Sequence, residues 1–215
     1  MNYCDCGNVL DSHLKKVCKE CKKEKIKVRK EKNLEVIRNH KNRPCHDCGG
    51  VFPHFVMDLD HRDPDQKEKK GGKKNRSSYV WAKSSPEKIQ KLLSICDVIC
   101  ANCHRIRTHK KEHNLINQPT NFQEKTSKDP KASEKVKERG RQAAIIIHEI
   151  KSNGSCMDCG KRYDPVAMDF DHREDKKLSV SSMVRMKPTK TTLLKEISKC
   201  DLVCANCHRI RTHAA

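Results

Sequence analysis

The chain has 215 residues, of which 34% are hydrophobic, 4% are aromatic and 35% are charged. Because so few apolar side chains cannot fill one large core, the composition favours several small domains that need additional staples. No segment approaches the roughly 18 consecutive apolar residues of a membrane span, and residues 1–10 do not resemble a secretory signal peptide. We therefore expect a cytoplasmic protein that does not insert into a membrane.

The charge balance predicts a polyanionic partner. Lysine and arginine number 47 against 28 aspartates and glutamates, which gives a net charge of +19. A surplus of this size is typical of proteins that bind nucleic acid. A basic surface without a specific partner is the alternative that charge alone leaves open.

Fourteen cysteines are the candidate staples. Disulfides and metal ligation are the two alternatives, and the redox compartment decides between them. Because thiols stay reduced in the cytoplasm, and because ten of the cysteines form five Cys-x-x-Cys pairs, the pattern favours zinc.

The N-terminal region combines cysteine pairs with a basic segment. Cys4-x-Cys6 and Cys18-x-x-Cys21 predict a zinc knuckle, although this spacing is less specific than that of the later pairs. Residues 13–41 hold twelve lysines or arginines against four acidic residues. This segment predicts a basic helix that binds DNA phosphates, and a merely solvated helix is the alternative.

An internal repeat organises the rest of the chain. The fourteen-residue sequence that begins at Cys96 recurs from Cys200 with two substitutions, and Met57-Asp-Leu-Asp-His-Arg recurs as Met168-Asp-Phe-Asp-His-Arg. The Asp-His pairs are 111 residues apart, whereas the cysteine pairs that follow them are 104 residues apart, so the first copy contains seven additional residues. Their lysine- and glycine-rich sequence predicts a flexible basic loop.

The repeat and the composition divide the chain into four predicted regions. These are an N-terminal zinc knuckle with a basic helix (1–40), a first module (41–113), a polar linker (114–130), and a helix with the second module (131–215). In each module we expect a short strand or hairpin up to the Asp-His pair, then a helix, then a short basic helix after the second cysteine pair. The predicted inward positions of the middle helix are Ile89, Leu92 and Leu93 in the first copy and Leu193, Leu194 and Ile197 in the second.

The two Cys-x-x-Cys pairs of each module supply four thiolates, the ligand set of a tetrahedral structural zinc site. Such a site closes a long loop and adds folding energy that a thin core lacks. The predicted structural zinc ligands are Cys4, Cys6, Cys18, Cys21, Cys45, Cys48, Cys100, Cys103, Cys156, Cys159, Cys204 and Cys207. Cys96 and Cys200 remain, and we expect them to be small core residues.

The Asp-His pair has no task in a structural zinc site, but it suits a metal-dependent nuclease. Asp60 and Asp171 can hold a hard divalent cation. The adjacent His61 and His172 can accept a proton from water near neutral pH. A further histidine follows the last zinc cysteine of each copy, where zinc fixes its place, and a plain surface residue is the alternative. These histidines are His104 and His208.

The motifs, in this order and in both copies, resemble the HNH endonucleases of the ββα-metal class, especially the small zinc-bearing HNH proteins of bacteriophages. The resemblance covers roughly residues 41–109 and 140–213. It implies an α+β fold with two small ββα-metal modules, each stapled by a Cys4 zinc, after the N-terminal zinc element. It also implies hydrolysis of phosphodiester bonds with a catalytic Mg²⁺ or Mn²⁺ ion.

Carried over by position, the resemblance gives each motif residue a role. The expected general bases are His61 and His172. The expected ligands of the catalytic metal are Asp60, His104, Asp171 and His208. The metal is expected to polarise the scissile phosphate and to stabilise the leaving oxygen. The arginines expected to hold phosphates of DNA, or of RNA, are Arg62, Arg105, Arg107, Arg173, Arg209 and Arg211; solvated helix charges are the alternative.

One departure from the family concerns its central asparagine, which supports the orientation of the general base. The segment before the second cysteine pair contains no asparagine in either copy. We expect Asp97, Asp201 or a backbone carbonyl to take its place. His109 and His213 lie five residues beyond the histidines expected to bind metal, a poor spacing for one helical face, so we expect phosphate contacts or surface positions for them.

Two other hypotheses stay open. A non-catalytic zinc protein that binds nucleic acid explains the cysteines and the charge but leaves the Asp-His pairs unexplained. Alternatively, only one copy is catalytic, and the seven-residue insertion makes the first copy the one more expected to have changed.

Overall fold

The structure is a computed structural model that describes residues 3–9, 17–63, 69–70, 73–74, 82–115, 134–173 and 178–214. Contacts divide the chain into two compact units, Met1–Ile99 and Cys100–Ala215. Helices and two-stranded sheets occur together, so the fold is α+β, as predicted. Within the described ranges, no helix is both long enough and apolar enough to cross a membrane.

The first unit contains a long basic helix and small paired strands. Its elements are α1 (Lys19–Lys41), β1 (Met57–His61), β2 (Lys69–Lys70), β3 (Lys73–Lys74), α2 (Pro86–Ile95) and β4 (Cys96–Cys100), which ends at the first residue of the second unit. Strand β1 pairs with β4, and β2 pairs with β3. The insertion predicted to be a flexible loop is therefore partly an antiparallel pair, with Lys69 opposite Lys74. Its other residues lie outside the described ranges.

Helix α2 packs against α1 through the side chains that the sequence predicts. Pro86 starts α2, since proline suits the first helical position. The buried residues of α2 are Ile89, Leu92 and Leu93, which confirms the predicted inward face. Ile89 and Leu93 pack against Ile37 of α1. The basic segment of residues 13–41 is thus helical from Lys19, and its Ile37 packs against α2.

The second unit contains helices around one antiparallel pair of strands. Its elements are α3 (Ala101–Leu115), α4 (Glu134–Asn153), a 3-10 helix (Pro165–Ala167), β5 (Met168–His172), α5 (Val180–Arg185), α6 (Lys190–Ile197), β6 (Cys200–Cys204) and α7 (Ala205–Ala214). In the β5–β6 pair, Met168 lies opposite Cys204 and Asp171 lies opposite Asp201. The helix predicted to begin near Lys131 is α4, and residues 116–133 lie outside the described ranges.

Two core clusters hold this unit together. Helices α4, α5 and α6 meet at Ala143, Val180 and Leu193. The second cluster consists of Cys156, Met168, Val203 and Cys204. Strand β5 contributes Met168 to the second cluster and packs Phe170 against the first, so both clusters hold the strand that carries the Asp-His pair.

The predicted inward face of α6 is wrong at one position. Leu194 is 39% exposed, whereas Glu196 is only 8% exposed. Side chains three and four positions apart share one face of a helix. The face that begins at Leu193 therefore continues with Glu196 and Ile197, and Leu194 points away from it.

The segment before each Asp-His pair forms less strand than the sequence predicts. The backbone N–H of Val56 donates to the carbonyl of Pro53 at 2.9 Å in a turn, and β1 begins only at Met57. The second copy has a 3-10 helix that starts at Pro165 in the matching place. A proline cannot donate a hydrogen bond to a neighbouring strand, so Pro53 and Pro165 favour a turn here.

Candidate metal centres and candidate active site

The twelve predicted zinc ligands form three groups of four cysteines. In each group the four sulfur atoms all lie within 4.8 Å of one another. The groups are Cys4, Cys6, Cys18 and Cys21; Cys45, Cys48, Cys100 and Cys103; and Cys156, Cys159, Cys204 and Cys207. Four clustered thiolates fit a tetrahedral structural zinc ion, so the donor atoms of all three groups suit zinc.

The third group shows how the local backbone prepares the sulfur atoms. Gly160 has a φ of +69°, which glycine adopts without strain, and its N–H donates to the carbonyl of Cys156 at 2.8 Å. The backbone N–H of Cys204 donates to Sγ of Cys156 at 3.2 Å. Burial raises the pKa of the Cys156 thiol, but such backbone N–H groups outweigh burial and bring it to about 7. A thiol of this kind loses its proton readily to a metal.

The two cysteines outside the groups behave as core residues. Cys96 is 3% exposed, and Sγ of Cys200 lies 3.4 Å from the carbonyl oxygen of Glu196. Burial raises the pKa of Cys200 to about 11. A neutral thiol packed against a helix carbonyl agrees with the predicted core role.

Strand β5 presents its two aspartates to one side and His172 to the other, because side chains alternate along a strand. On the aspartate side, Nε2 of His208 lies 3.5 Å from Oδ1 of Asp171. The structure thus brings together the two expected metal ligands of the second copy. His208 lies on α7 directly after Cys207, so a zinc ion bound by this Cys4 group would fix the start of the helix that carries it.

Asp169 is a member of this site that the sequence analysis missed. Its Oδ2 lies 2.9 Å from Nδ1 of His208, and its Oδ1 accepts a hydrogen bond from Nη1 of Arg105 at 2.7 Å. Burial raises the pKa of Asp169, but hydrogen bonds from His208 and Arg105 outweigh it and lower the pKa to about 2. The hydrogen bond to Asp169 in turn raises the pKa of His208. The available signal was the position of Asp169 two residues before Asp171, on the same face of the strand.

His172 is held from the other side of the strand by a residue that the sequence analysis also missed. Its Nε2 lies 3.0 Å from Oε1 of Glu196, and the two side chains are 3% and 11% exposed. Oε2 of Glu196 accepts a hydrogen bond from Nζ of Lys199 at 2.9 Å. Hydrogen bonds from Lys199 and His172 lower the pKa of Glu196. A carboxylate therefore takes the place expected for Asp201 or a backbone carbonyl.

Asp201 instead belongs to an ion cluster around Arg211. Nη1 of Arg211 donates to Oδ2 of Asp201 at 2.9 Å and to Oδ2 of Asp171 at 3.1 Å. Its Nε donates to Oδ2 of Asp158 at 2.8 Å. The hydrogen bond that Arg211 donates to Asp158 is the largest influence that raises the pKa of Arg211. Arg211 thus supplies the positive charge beside Asp171.

Other arginines expected at phosphates also contact protein groups. Nε of Arg62 donates to Oδ1 of Asp97 at 2.9 Å. Nη2 of Arg173, the equivalent of Arg62, donates to the carbonyl of Ser198 at 2.6 Å. These contacts fasten the end of the strand that carries each Asp-His pair to the junction between the following helix and the strand after it. Arg107 and Arg209 also have protein partners, and phosphate binding by all six arginines stays a prediction.

In the first copy, Asp60 and His61 are buried on β1, with exposures of 3% and 8%. Their positions correspond to Asp171 and His172. His104 is half-buried on α3, where it lines a shallow cavity with Arg105, Thr108, His109 and Val166. Leu92 occupies the helix position that corresponds to Glu196, so the two copies differ beside the expected base.

Comparisons with family models, with curated proteins and with solved structures found no match to the chain.

The geometry of the second copy's site defines which chemical groups it offers. Three Cys4 groups and a strand–strand–helix arrangement around β5, β6 and α7 are compatible with a zinc-bearing module. Beside the Cys4 group of the second copy, Asp171 and His208 offer one carboxylate oxygen and one ring nitrogen to a divalent cation. His172, on the adjacent strand position, provides a buried imidazole that a carboxylate holds. Asp171 and His208 can therefore bind a metal on one face of β5, and His172 can accept a proton on the opposite face.

Proposed function

We propose that the chain is a metal-dependent HNH-type endonuclease that hydrolyses phosphodiester bonds in DNA. In this proposal, residues 41–113 and 131–215 are two ββα-metal modules joined by a linker (114–130), after an N-terminal zinc knuckle and basic helix (1–40). The observation that carries the proposal is the second copy's site, in which His208 faces Asp171 and His172 is held by Glu196.

The zinc groups support the scaffold of this site. The last two zinc cysteines of the second copy, Cys204 and Cys207, lie at the junction of β6 and α7. Zinc there fixes the helix that carries His208 relative to the strand pair that carries Asp171. Binding groups on rigid elements hold their geometry better than groups on loops.

Each proposed catalytic group has a defined task. A divalent cation bound by Asp171 and His208 would supply Lewis-acid stabilisation of charge on the phosphate and the leaving oxygen. In this proposal His172, which faces the side of β5 opposite to Asp171 and is 3% exposed, accepts a proton from an attacking water that reaches the ring nitrogen that Glu196 does not engage. Glu196 holds the opposite ring nitrogen, Nε2, and thereby fixes the plane of the ring.

The substrate follows from the charge. A net charge of +19 and a basic helix α1 attract a polyanion and make its binding depend on salt concentration. Nucleic acid is the polyanion whose backbone carries the phosphodiester bond that such a site would cut. DNA is the proposed substrate, and RNA serves as the comparison substrate.

The experiment that tests the proposal is cleavage of supercoiled plasmid by the zinc-loaded full chain with Mg²⁺ or Mn²⁺. The variants are His61→Ala, His172→Ala and the double substitution. His148→Ala is the matched control, because His148 is exposed on α4 and belongs to neither Asp-His pair. We expect the control to cut as the unmodified chain does and the double variant to lose at least about 100-fold in rate.

Each outcome has a clear meaning. If one single substitution converts linearisation to nicking, both copies cut. If only His172→Ala abolishes cleavage, the second copy alone is catalytic. If the zinc-loaded chain binds DNA but cuts neither DNA nor RNA with either metal, the nuclease proposal is wrong, and a non-catalytic nucleic-acid-binding protein replaces it.

A further inference from the structure

Helix α3 belongs to the first repeat, yet its residue Arg105 reaches the candidate site of the second repeat. Nη1 of Arg105 donates to Oδ1 of Asp169 at 2.7 Å. The other oxygen of the same carboxylate, Oδ2, lies 2.9 Å from Nδ1 of His208. Asp169 therefore contacts Arg105 of the first repeat through one carboxylate oxygen and His208 of the second repeat through the other.

A reciprocal pair of hydrogen bonds fixes α3 against α7. The backbone N–H of Asn102 donates to Oδ1 of Asn206 at 3.0 Å, and the backbone N–H of Asn206 donates to Oδ1 of Asn102 at 3.0 Å. Both asparagines are 3% exposed. Loss of either bond would leave a buried polar group unsatisfied, which is costly. Arg105 follows Asn102 by about one helical turn, so its position is anchored.

The contact with Asp169 has the form of a support for a metal ligand. A histidine that binds a metal through one ring nitrogen commonly donates from the other nitrogen to a carboxylate, which fixes the tautomer and the ring plane. His208 has this arrangement, since Nδ1 faces Asp169 and Nε2 faces Asp171. A carboxylate turns less freely when a guanidinium group holds its second oxygen.

We propose that Arg105 is a positioning residue for the second repeat's site, which orients Asp169 so that His208 directs Nε2 toward the metal position beside Asp171. This inference rests on the proposed function, because it assigns a task within a site proposed to bind a divalent cation. It gives Arg105 a task other than the phosphate contact that the sequence predicts. It also makes the second site depend on a helix of the first repeat.

Mn²⁺ binding to the zinc-loaded full chain, followed by electron paramagnetic resonance without substrate, tests the inference. Every sample carries Asp60→Asn, so that bound Mn²⁺ reports the second site. We compare Arg105→Ala and Asp169→Asn with Lys110→Ala, which removes an exposed charge from the same helix. We expect the first two to weaken Mn²⁺ binding about tenfold and the control to leave it unchanged. The double variant should be no weaker than Asp169→Asn alone, because both changes act through one contact.

A second readout does not depend on the metal. Ring ¹⁵N signals of His208 report its tautomer, and we expect Arg105→Ala to shift them toward a mixture. Arg105→Lys should restore the signals only in part, because an ammonium group lacks the planar fork of a guanidinium group. Retention of three zinc ions per chain, one for each Cys4 group, shows that each variant is folded.

Failure of the inference differs from failure of the proposed function. If Arg105→Ala matches Lys110→Ala in both Mn²⁺ affinity and His208 signals, the positioning role is wrong and the nuclease proposal stands. The Asp60→Asn chain should lose its bound Mn²⁺ when Asp171→Asn is added. If the Asp60→Asn chain binds no Mn²⁺, or if Asp171→Asn leaves its Mn²⁺ binding unchanged, the proposed metal site is wrong and the inference is overturned with it.

Discussion

Nε2 of His172 lies 3.0 Å from Oε1 of Glu196, although the helix that supplies Glu196 is otherwise apolar on that face. At the corresponding position of α2, the first repeat carries Leu92, which is 3% exposed. A leucine side chain cannot accept a hydrogen bond, so this helix position supports the base in one repeat only. Glu196→Leu therefore tests whether the orientation of His172, rather than its presence alone, contributes to the rate.

We predict that Glu196→Leu lowers kcat of DNA cleavage about 10- to 100-fold, because the imidazole loses its fixed tautomer and orientation. The measurement uses a His61→Ala background, so that only the second copy acts. KM should stay within about twofold, since substrate contacts are unchanged. Glu196→Gln should restore most of kcat, because its amide oxygen accepts the same hydrogen bond.

Lys195→Ala is the control for this prediction, since Lys195 is exposed on the same helix. Removal of one partner of a buried ion pair is destabilising, so kcat is compared at a temperature where thermal unfolding shows the variant and the control to be folded. An unchanged kcat in Glu196→Leu would remove Glu196 from the proposed mechanism.

Zinc removal should unfold the region around β5 and β6. Cys156 and Cys204 belong to a core cluster with Met168 and Val203. Loss of the ion therefore leaves polar or charged sulfur atoms in that core without a metal to bind them. A zinc-release assay and circular dichroism, recorded during titration with a strong chelator, measure the ion and the fold together. We expect three zinc ions per chain, one for each Cys4 group.

Cys200→Ala is the matched control for zinc removal, because Cys200 lies outside the three groups. This variant should keep all three ions and unfold at a similar chelator concentration. A chain that keeps its helical signal after complete loss of zinc would contradict a structural role for the ions.

Arg211→Ala should destabilise the zinc-loaded chain by about 1–3 kcal/mol, because three carboxylates lose a shared charged donor. Nη1 of Arg211 donates to both Asp171 and Asp201. Mn²⁺ should restore part of the loss, since a divalent cation bound at Asp171 supplies positive charge in the same place. Thermal unfolding with and without Mn²⁺ measures both effects. Arg185→Ala, which removes an exposed arginine bonded to Ser182, should change stability little; equal stability of the two variants would contradict the prediction.

The Asp169–His208 pair should make stability fall as pH rises through neutrality. The hydrogen bond to Asp169 raises the pKa of His208 above its ordinary value of 6.5. A group whose pKa is raised on folding stabilises fully below its unfolded pKa, and this stabilisation is lost as pH rises through the folded pKa. Denaturant unfolding at pH values from about 6 to about 8, in zinc-loaded chain without Mn²⁺, measures the loss.

The carboxylate partner titrates in a separate range. The pKa of Asp169 is about 2, below its ordinary value of 3.8, so its stabilising effect is lost only as pH falls between these values. Asp169 is therefore charged throughout the neutral range, and Asp169→Asn should flatten the pH dependence there. An unchanged slope in Asp169→Asn would assign the dependence to other groups.

Local spacing predicts the three Cys4 groups and α2 well. Cys-x-x-Cys pairs report a local geometry, and Pro86 marks a helix start regardless of its surroundings. Glu196 was not predicted, because an isolated acidic residue in a basic chain gives no sign of burial, and Asp169 was not predicted although it shares a strand face with Asp171. Glu196 becomes recognisable only when packing fixes the phase of α6, with Leu193 three residues earlier on the same face.

Long-range contacts between the repeats lie outside what spacing can predict. Arg105 and Asp169 are 64 residues apart in the chain. Equivalent motifs in two copies predict equivalent local structures, but they do not predict that one copy contacts the site of the other. The interpretation of Arg105 as a phosphate-binding residue followed from the family resemblance, carried over by position.

The reciprocal bonds between Asn102 and Asn206 have a consequence for the origin of the duplicated chain. Equivalent residues that exchange equivalent bonds are the mark of an isologous contact, the kind that two identical subunits make about a two-fold axis. Covalent linkage of the two copies raises their effective concentration to the order of mM, whatever the concentration of the protein. Separate subunits would pair only at concentrations above their dissociation constant, whereas the two copies in one chain pair at any protein concentration. Each copy is then free to change its sequence independently of the other.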